Sequence, residues 1–158
     1  MSKENVSSLI PKKILVPIDF SPSSEAALKQ ASALAQKFEA EIHLVHVIPM
    51  FKVAKMPDFI PETEFIGAAR KEAERYFALR QENLASKGIK ASASILTGND
   101  VTASILDVIK HEHIDLLVVS THGLTGWQPR VFGSITEKLV RLARIPVFLI
   151  RTAEPKGD

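Results

Sequence analysis

Short apolar runs rich in β-branched residues alternate along this chain with longer amphipathic stretches. The first run, Lys13 to Ile18, is stopped by Asp19. Ser21-Pro22 follows as a helix start, with Ser21 as N-cap and Pro22 at the first helical position, where its missing N–H is not needed. Ala27, Ala31, Leu34 and Phe38 then recur with helical spacing, and the small residues among them allow close approach to a sheet. Glu41 to Ile48 reads as a second strand, and 50–61 as a long loop without period. A long helix is expected from Glu62 to Lys87, with Ile66, Ala69, Ala73, Phe77 and Leu84 on one face and Gly88 ending it. Lys90 to Leu96 reads as a third strand, and Thr97-Gly98-Asn99-Asp100 turns into a helix that buries Val101, Ile105 and Val108. Ile114 to Val119 is apolar almost throughout, as a parallel strand covered on both faces should be. A loop from Ser120 to Phe132, a helix from Ser134 to about Arg144 and a strand from Ile145 to Ile150 complete the series.

Regular β-α alternation implies one α/β domain, with its core over about residues 12–151. It is an open, doubly wound, Rossmann-like sheet of five parallel strands with helices on both faces and right-handed crossovers. Such sheets hold ligands beyond the carboxyl ends of their strands, where strand order reverses. For the order 3-2-1-4-5 that crevice lies between strands one and four.

Composition narrows the class. The 158 residues are 46% hydrophobic and 24% charged, a globular balance. A net charge of +2 gives no basis for general nucleic-acid binding. With no cysteine there is no disulfide, thiolate metal site or thiol nucleophile. No apolar run approaches the ~18 residues of a membrane span, and the N-terminal residues lack the apolar stretch of a signal peptide. A cytoplasmic location without membrane partners is the expectation.

The chemistry concentrates at the switch point. Strand one ends in Pro17-Ile18-Asp19-Phe20-Ser21, and strand four in Ser120-Thr121-His122-Gly123, whose loop closes on Gly133-Ser134. Asp19 can accept hydrogen bonds from sugar hydroxyls. Glycines let backbone N–H groups approach phosphate, and the helix at Ser134 offers unpaired donors at the positive end of its dipole. Ser134-x-x-Glu137 also fits a capping box, with Ser134 as N-cap. His111 and His113 do not make a metal site, because adjacent helix-end rings point apart and no third ligand is near in sequence. His43 and His46 fall on opposite faces of a strand. No residue is singled out as catalytic: there is no Walker lysine, no second acid beside Asp19 and no evident base for water. A phospho-receiver is excluded because Thr97-Gly98 and Arg151 stand where it needs an aspartate and a lysine.

Ser120-x2-Gly123-x9-Gly133-Ser134 resembles the Gly-x2-Gly-x9-Gly-(Ser/Thr) nucleotide motif of ATP-binding universal stress proteins. Lys13 to Ser21, His46-Val47-Ile48 and Ile145 to Ile150 are similar to the same family in register, over about Lys12 to Arg151. The resemblance implies Pro17 and Asp19 against the adenosine and the Val47 backbone against adenine. It implies Gly123, Gly133, Ser134 and the Ile135 backbone around the phosphates. Beside these, Ser120 can donate to ribose, His122 adjoins the motif within reach of phosphate, and Arg130 either reaches a phosphate or is a solvated surface arginine. The implied ligand is ATP, with Mg²⁺ as its companion ion. The implied assembly is a homodimer through the strand Ile145 to Ile150, and the implied activity is at most slow hydrolysis or autophosphorylation. Two positions depart from the family pattern, Ser120 for the first glycine and Pro129 inside the loop. They leave open an alternative, a dimeric interaction protein with a weakened or lost nucleotide site.

Overall fold

A computed structural model describes residues 10–53, 55, 60–121 and 133–152. Its elements, in chain order, are β1 Lys13–Pro17, α1 Pro22–Phe38, β2 Glu41–Pro49, α2 Met50–Val53, α3 Glu62–Ser86, β3 Ala91–Gly98, α4 Val101–His111, β4 Leu116–Ser120, α5 Ser134–Leu142 and β5 Val147–Ile150. All the strand pairs are parallel and the order is β3-β2-β1-β4-β5, as the alternation predicts. The expected loop at 50–61 differs, because its first four residues form the short helix α2.

Alternation along each strand divides the core in two. On one face Ile14, Val16, Ile18, Ile42, Leu44 and Val118 meet α1 and α3 through Ala27, Leu28, Ala31, Ala35, Phe77 and Leu84. On the other, Leu15, Val45, Val47, Leu117 and Val119 meet α4 and α5 through Ile105, Val108, Ile109 and Leu139. The small side chains of α1 are buried at Ala27, Ala31 and Ala35, whereas Leu34 packs only partly buried at the margin.

Helix ends follow local chemistry. Ser21 caps α1 by accepting from the Ser24 N–H at 3.1 Å, with Pro22 at the first helical position. Asp100 caps α4 through the Ala103 N–H at 3.0 Å. Beyond α3, Gly88 takes a left-handed φ of 76°, the conformation that favours glycine. At the amino end of the sheet, the Asp115 carboxylate accepts from the Lys12 N–H at 2.9 Å and the Lys13 N–H at 3.1 Å. Asp115 therefore anchors the start of β1, far from the carboxyl ends of the strands.

The two sheet edges are treated differently. Because the Lys90 carbonyl accepts from the Ile42 N–H, odd-numbered residues of β3 turn their backbone groups outward. Two of those carbonyls are occupied from α3, Ala91 by Gln81 Nε2 and Ile95 by an Arg70 guanidinium nitrogen, each at 3.2 Å. No side chain among the described residues covers β5 in that way. Phe148, which pairs with Val118 and so lies on the α1 side of the sheet, stands 44% exposed there.

Candidate functional site

The crevice is built where β1 leaves the sheet. Pro17 is the last residue of β1 and pairs with Val45, and the Ile18 N–H donates to the Val45 carbonyl at 2.8 Å. The next bond of a continuing parallel ladder would run from the Val47 N–H to the Ile18 carbonyl. It is not formed; His46 Nδ1 donates to that carbonyl instead, at 2.7 Å. Val47 has the same parity as Val45, so its N–H and C=O face the β1 side, where the strand has ended. Among the described residues neither group has a backbone partner on that side.

Asp19 follows directly. Its Oδ1 accepts from the Ser21 N–H at 3.0 Å and from the Ser21 hydroxyl, while that hydroxyl accepts from Ser24. The carboxylate is thus tied to the capped start of α1. Phe20, between Asp19 and Ser21, has a φ of 65°, unusual for a non-glycine residue. Its ring lies 4.4 Å from that of His46 and 4.9 Å from that of Tyr76. Arg80 sits 4.3 Å over the Tyr76 ring and pairs with Glu25 at 2.7 Å.

The opposite wall comes from β4 and α5. Ser120 is buried, and its carbonyl accepts from the Thr136 hydroxyl at 2.9 Å. The Thr121 N–H donates to the Ile150 carbonyl, and the Thr121 carbonyl accepts from the Gly133 N–H at 2.9 Å. Thr121 and Gly133 are therefore held directly to one another through the backbone. Helix α5 begins at Ser134 with Gly133 as N-cap, and the Glu137 N–H donates to the Gly133 carbonyl at 2.9 Å.

This corrects the expected capping box. Ser134 is the first helical residue, it makes no cap bond, and Glu137 pairs with Arg141 at 2.9 Å. Amide donors of the first turn at Ser134, Ile135 and Thr136 have no partner among the described residues. The Gly133 amide is engaged with Thr121, so the feature it adds to this wall is the lack of a Cβ.

Pro17, Asp19, Val47, Ser120, Gly133, Ser134 and Ile135 thus lie at the carboxyl ends of the strands and the start of α5. His122, Gly123 and Arg130 fall outside the described residues. Sequence reasoning missed two groups, His46 as the donor to Ile18 and Thr136 as the clip on Ser120. A threonine two residues beyond Gly-Ser is a visible signal, but its partner is 16 residues away and only the fold joins them. The two histidines of β2 do separate: His43, on the α4 face, lies 2.7 Å from Ser92 Oγ and 2.8 Å from Ser94 Oγ. No group of three metal-ligating side chains occurs among the described residues. No helix among them is long and apolar enough to cross a membrane.

Comparison with known proteins agrees with this architecture. The family model described as the universal stress protein family matches residues 11–151. Universal stress protein YxiE of Bacillus subtilis is 30% identical over 146 residues, covering 88% of this chain and 98% of that protein. The structure of protein MJ0577 from Methanocaldococcus jannaschii superposes with a TM-score of 0.80 at 28% identity, over 90% of this chain and 96% of the other. A universal stress protein from Archaeoglobus fulgidus, solved in complex with dAMP, matches with a TM-score of 0.62 at 20% identity, over 89% and 98%. With its sheet order, its crevice and a family match over nearly all its length, this chain belongs to the universal stress protein family.

Proposed function

We propose that this protein binds an adenine nucleotide, ATP, in the crevice between β1 and β4 and acts as a regulatory module in the response to stress. The observation that carries the reading is the Val47 backbone. A buried strand presents one N–H and one C=O to a crevice with no strand to receive them, and such groups are normally paired. Adenine offers the complement, an acceptor at N1 beside a donor at N6. Asp19, braced by Ser21, is placed for ribose hydroxyls. The open amides of Ser134 and Ile135 and the positive end of α5 suit phosphate oxygens.

His122, Gly123 and Arg130 complete the proposed phosphate side from the loop, with Ser120 and Gly133 at its two ends. Mg²⁺ would be held chiefly by the phosphates, in keeping with its preference for phosphate oxygens and water over an all-protein cage. The Archaeoglobus fulgidus protein of the same fold, solved in complex with dAMP, suits the reading.

The protein works as a homodimer in this proposal, paired through β5. That edge carries exposed Phe148 and no covering side chain among the described residues, whereas β3 is capped from α3. The same edge supports the second reading, a dimeric interaction protein without a nucleotide.

Calorimetric titration of nucleotide-stripped protein with Mg-ATP separates the two. The wild type is expected to bind with a Kd on the order of micromolar, and Asp19→Ala to weaken it roughly ten- to a hundredfold, the worth of a hydrogen bond to a charged group. No heat and no thermal shift at millimolar ATP would leave the dimeric interaction protein as the account.

A further inference from the structure

We propose that His46 is a positioning residue for base selection, turning the Ile18 carbonyl out of the β1–β2 ladder so that the Val47 N–H and C=O stay open to the base. This rests on the nucleotide reading above.

A carbonyl can only accept, so the 2.7 Å contact with the Ile18 oxygen requires the proton on His46 Nδ1. His46 shares the parity of Ile42 and Leu44, whose side chains pack on the α1 and α3 face. The Ile18 carbonyl is therefore drawn toward that face, away from Val47, and the ladder stops after the bond between Ile18 and Val45. The ring has a second role, as one side of the aromatic cluster that packs around Phe20 at its left-handed φ. Tyr76 forms the other side, itself covered by the Arg80 guanidinium that pairs with Glu25. The end of β1 is thereby fixed from β2, α1 and α3 together.

Base selection follows from chain direction. Along β2 the Val47 N–H precedes its C=O, matching an acceptor and a donor in one order only. Adenine presents N1 as acceptor and N6 as donor. Hypoxanthine presents the reverse pair, N1–H and O6. With ribose and phosphates anchored at Asp19 and α5, the base cannot turn over to restore the match, and a mismatched buried polar edge is strongly selected against.

The test uses two variants and two readouts. His46→Phe keeps a ring beside Phe20 and removes the donor, whereas His46→Asn retains an N–H near the position of Nδ1. By NMR hydrogen exchange, the Val47 amide is expected to be poorly protected in the wild type and in His46→Asn. In His46→Phe it should gain on the order of tenfold protection as the ladder closes one step further. In titrations, the wild type and His46→Asn should prefer ATP over ITP by about tenfold or more, and His46→Phe by about threefold or less. Unchanged Val47 exchange together with an unchanged ATP preference in His46→Phe would overturn the proposal. If the wild type binds neither nucleotide, the nucleotide reading fails and base selection with it, while the exchange data still decide whether His46 keeps the Ile18 carbonyl from the Val47 amide.

Discussion

Two histidines three positions apart on β2 serve different ends because a strand sends them to opposite faces. His46 donates to a main-chain carbonyl at the crevice, while His43 is buried between Ser92 and Ser94. Burial holds the His43 imidazole below its ordinary 6.5, opposed by the Glu112 carboxylate and reinforced by Lys13. The unfolded chain therefore takes up this proton first, and stability must fall as the pH drops below about 6.5 toward the folded value. Urea denaturation between pH 7.5 and 5 should show a shallower decline for His43→Gln than for the wild type, and equal slopes would contradict this account. Tyr76 gives a second test at this scale. Its hydroxyl is buried with no partner among the described residues, and the ring alone makes the contacts with Phe20 and Arg80. Tyr76→Phe should leave stability unchanged or raise it by up to about 1 kcal/mol in urea denaturation. A loss greater than that would reveal a hydrogen bond to the hydroxyl.

Among elements, α5 matters most for the crevice, and its placement was only partly legible. Gly133-Ser134 marked the helix start correctly, but the capping box suggested Ser134 as the cap. That pattern describes a local choice, and here the Gly133 amide is held by Thr121 while Glu137 turns to Arg141, one helical turn on. With no side-chain cap, the amides of Ser134, Ile135 and Thr136 have no partner among the described residues. Thr136→Val removes the hydroxyl clip on the Ser120 carbonyl and should cost about 1–2 kcal/mol of stability in urea denaturation. ATP affinity by calorimetry should fall several-fold as the helix start loosens, while Thr136→Ser retains both. Strand ends show the same limit of local reading. Ile18 has every property of a strand residue, yet β1 ends at Pro17 because a histidine 28 positions away takes its carbonyl. Apolar periodicity reports burial, which Ile18 indeed has at 3% exposure, and is silent about which donor reaches a main-chain oxygen.

At the scale of the whole molecule, the strand order and the crevice were the most legible features, since β-α alternation with right-handed crossovers leaves few arrangements. What lay beyond the sequence was how differently the sheet's two edges are finished. Arg70 and Gln81 close two of the outward carbonyls of β3, whereas β5 carries exposed Phe148 and no such covering side chain among the described residues. Sedimentation should find a dimer for the wild type and a monomer for Phe148→Glu, and a monomeric wild type would remove β5 from the account. The central claim is that the crevice of β1, β2 and α5 is the nucleotide site. The most direct measurement is an NMR titration of the full chain with Mg-ATP, following backbone amide shifts. The account predicts the largest shifts at Asp19, Val47, Ser134 and Ile135, saturating together at one affinity. Shifts confined to other surfaces, such as the β3 edge, or none at millimolar ATP, would contradict it.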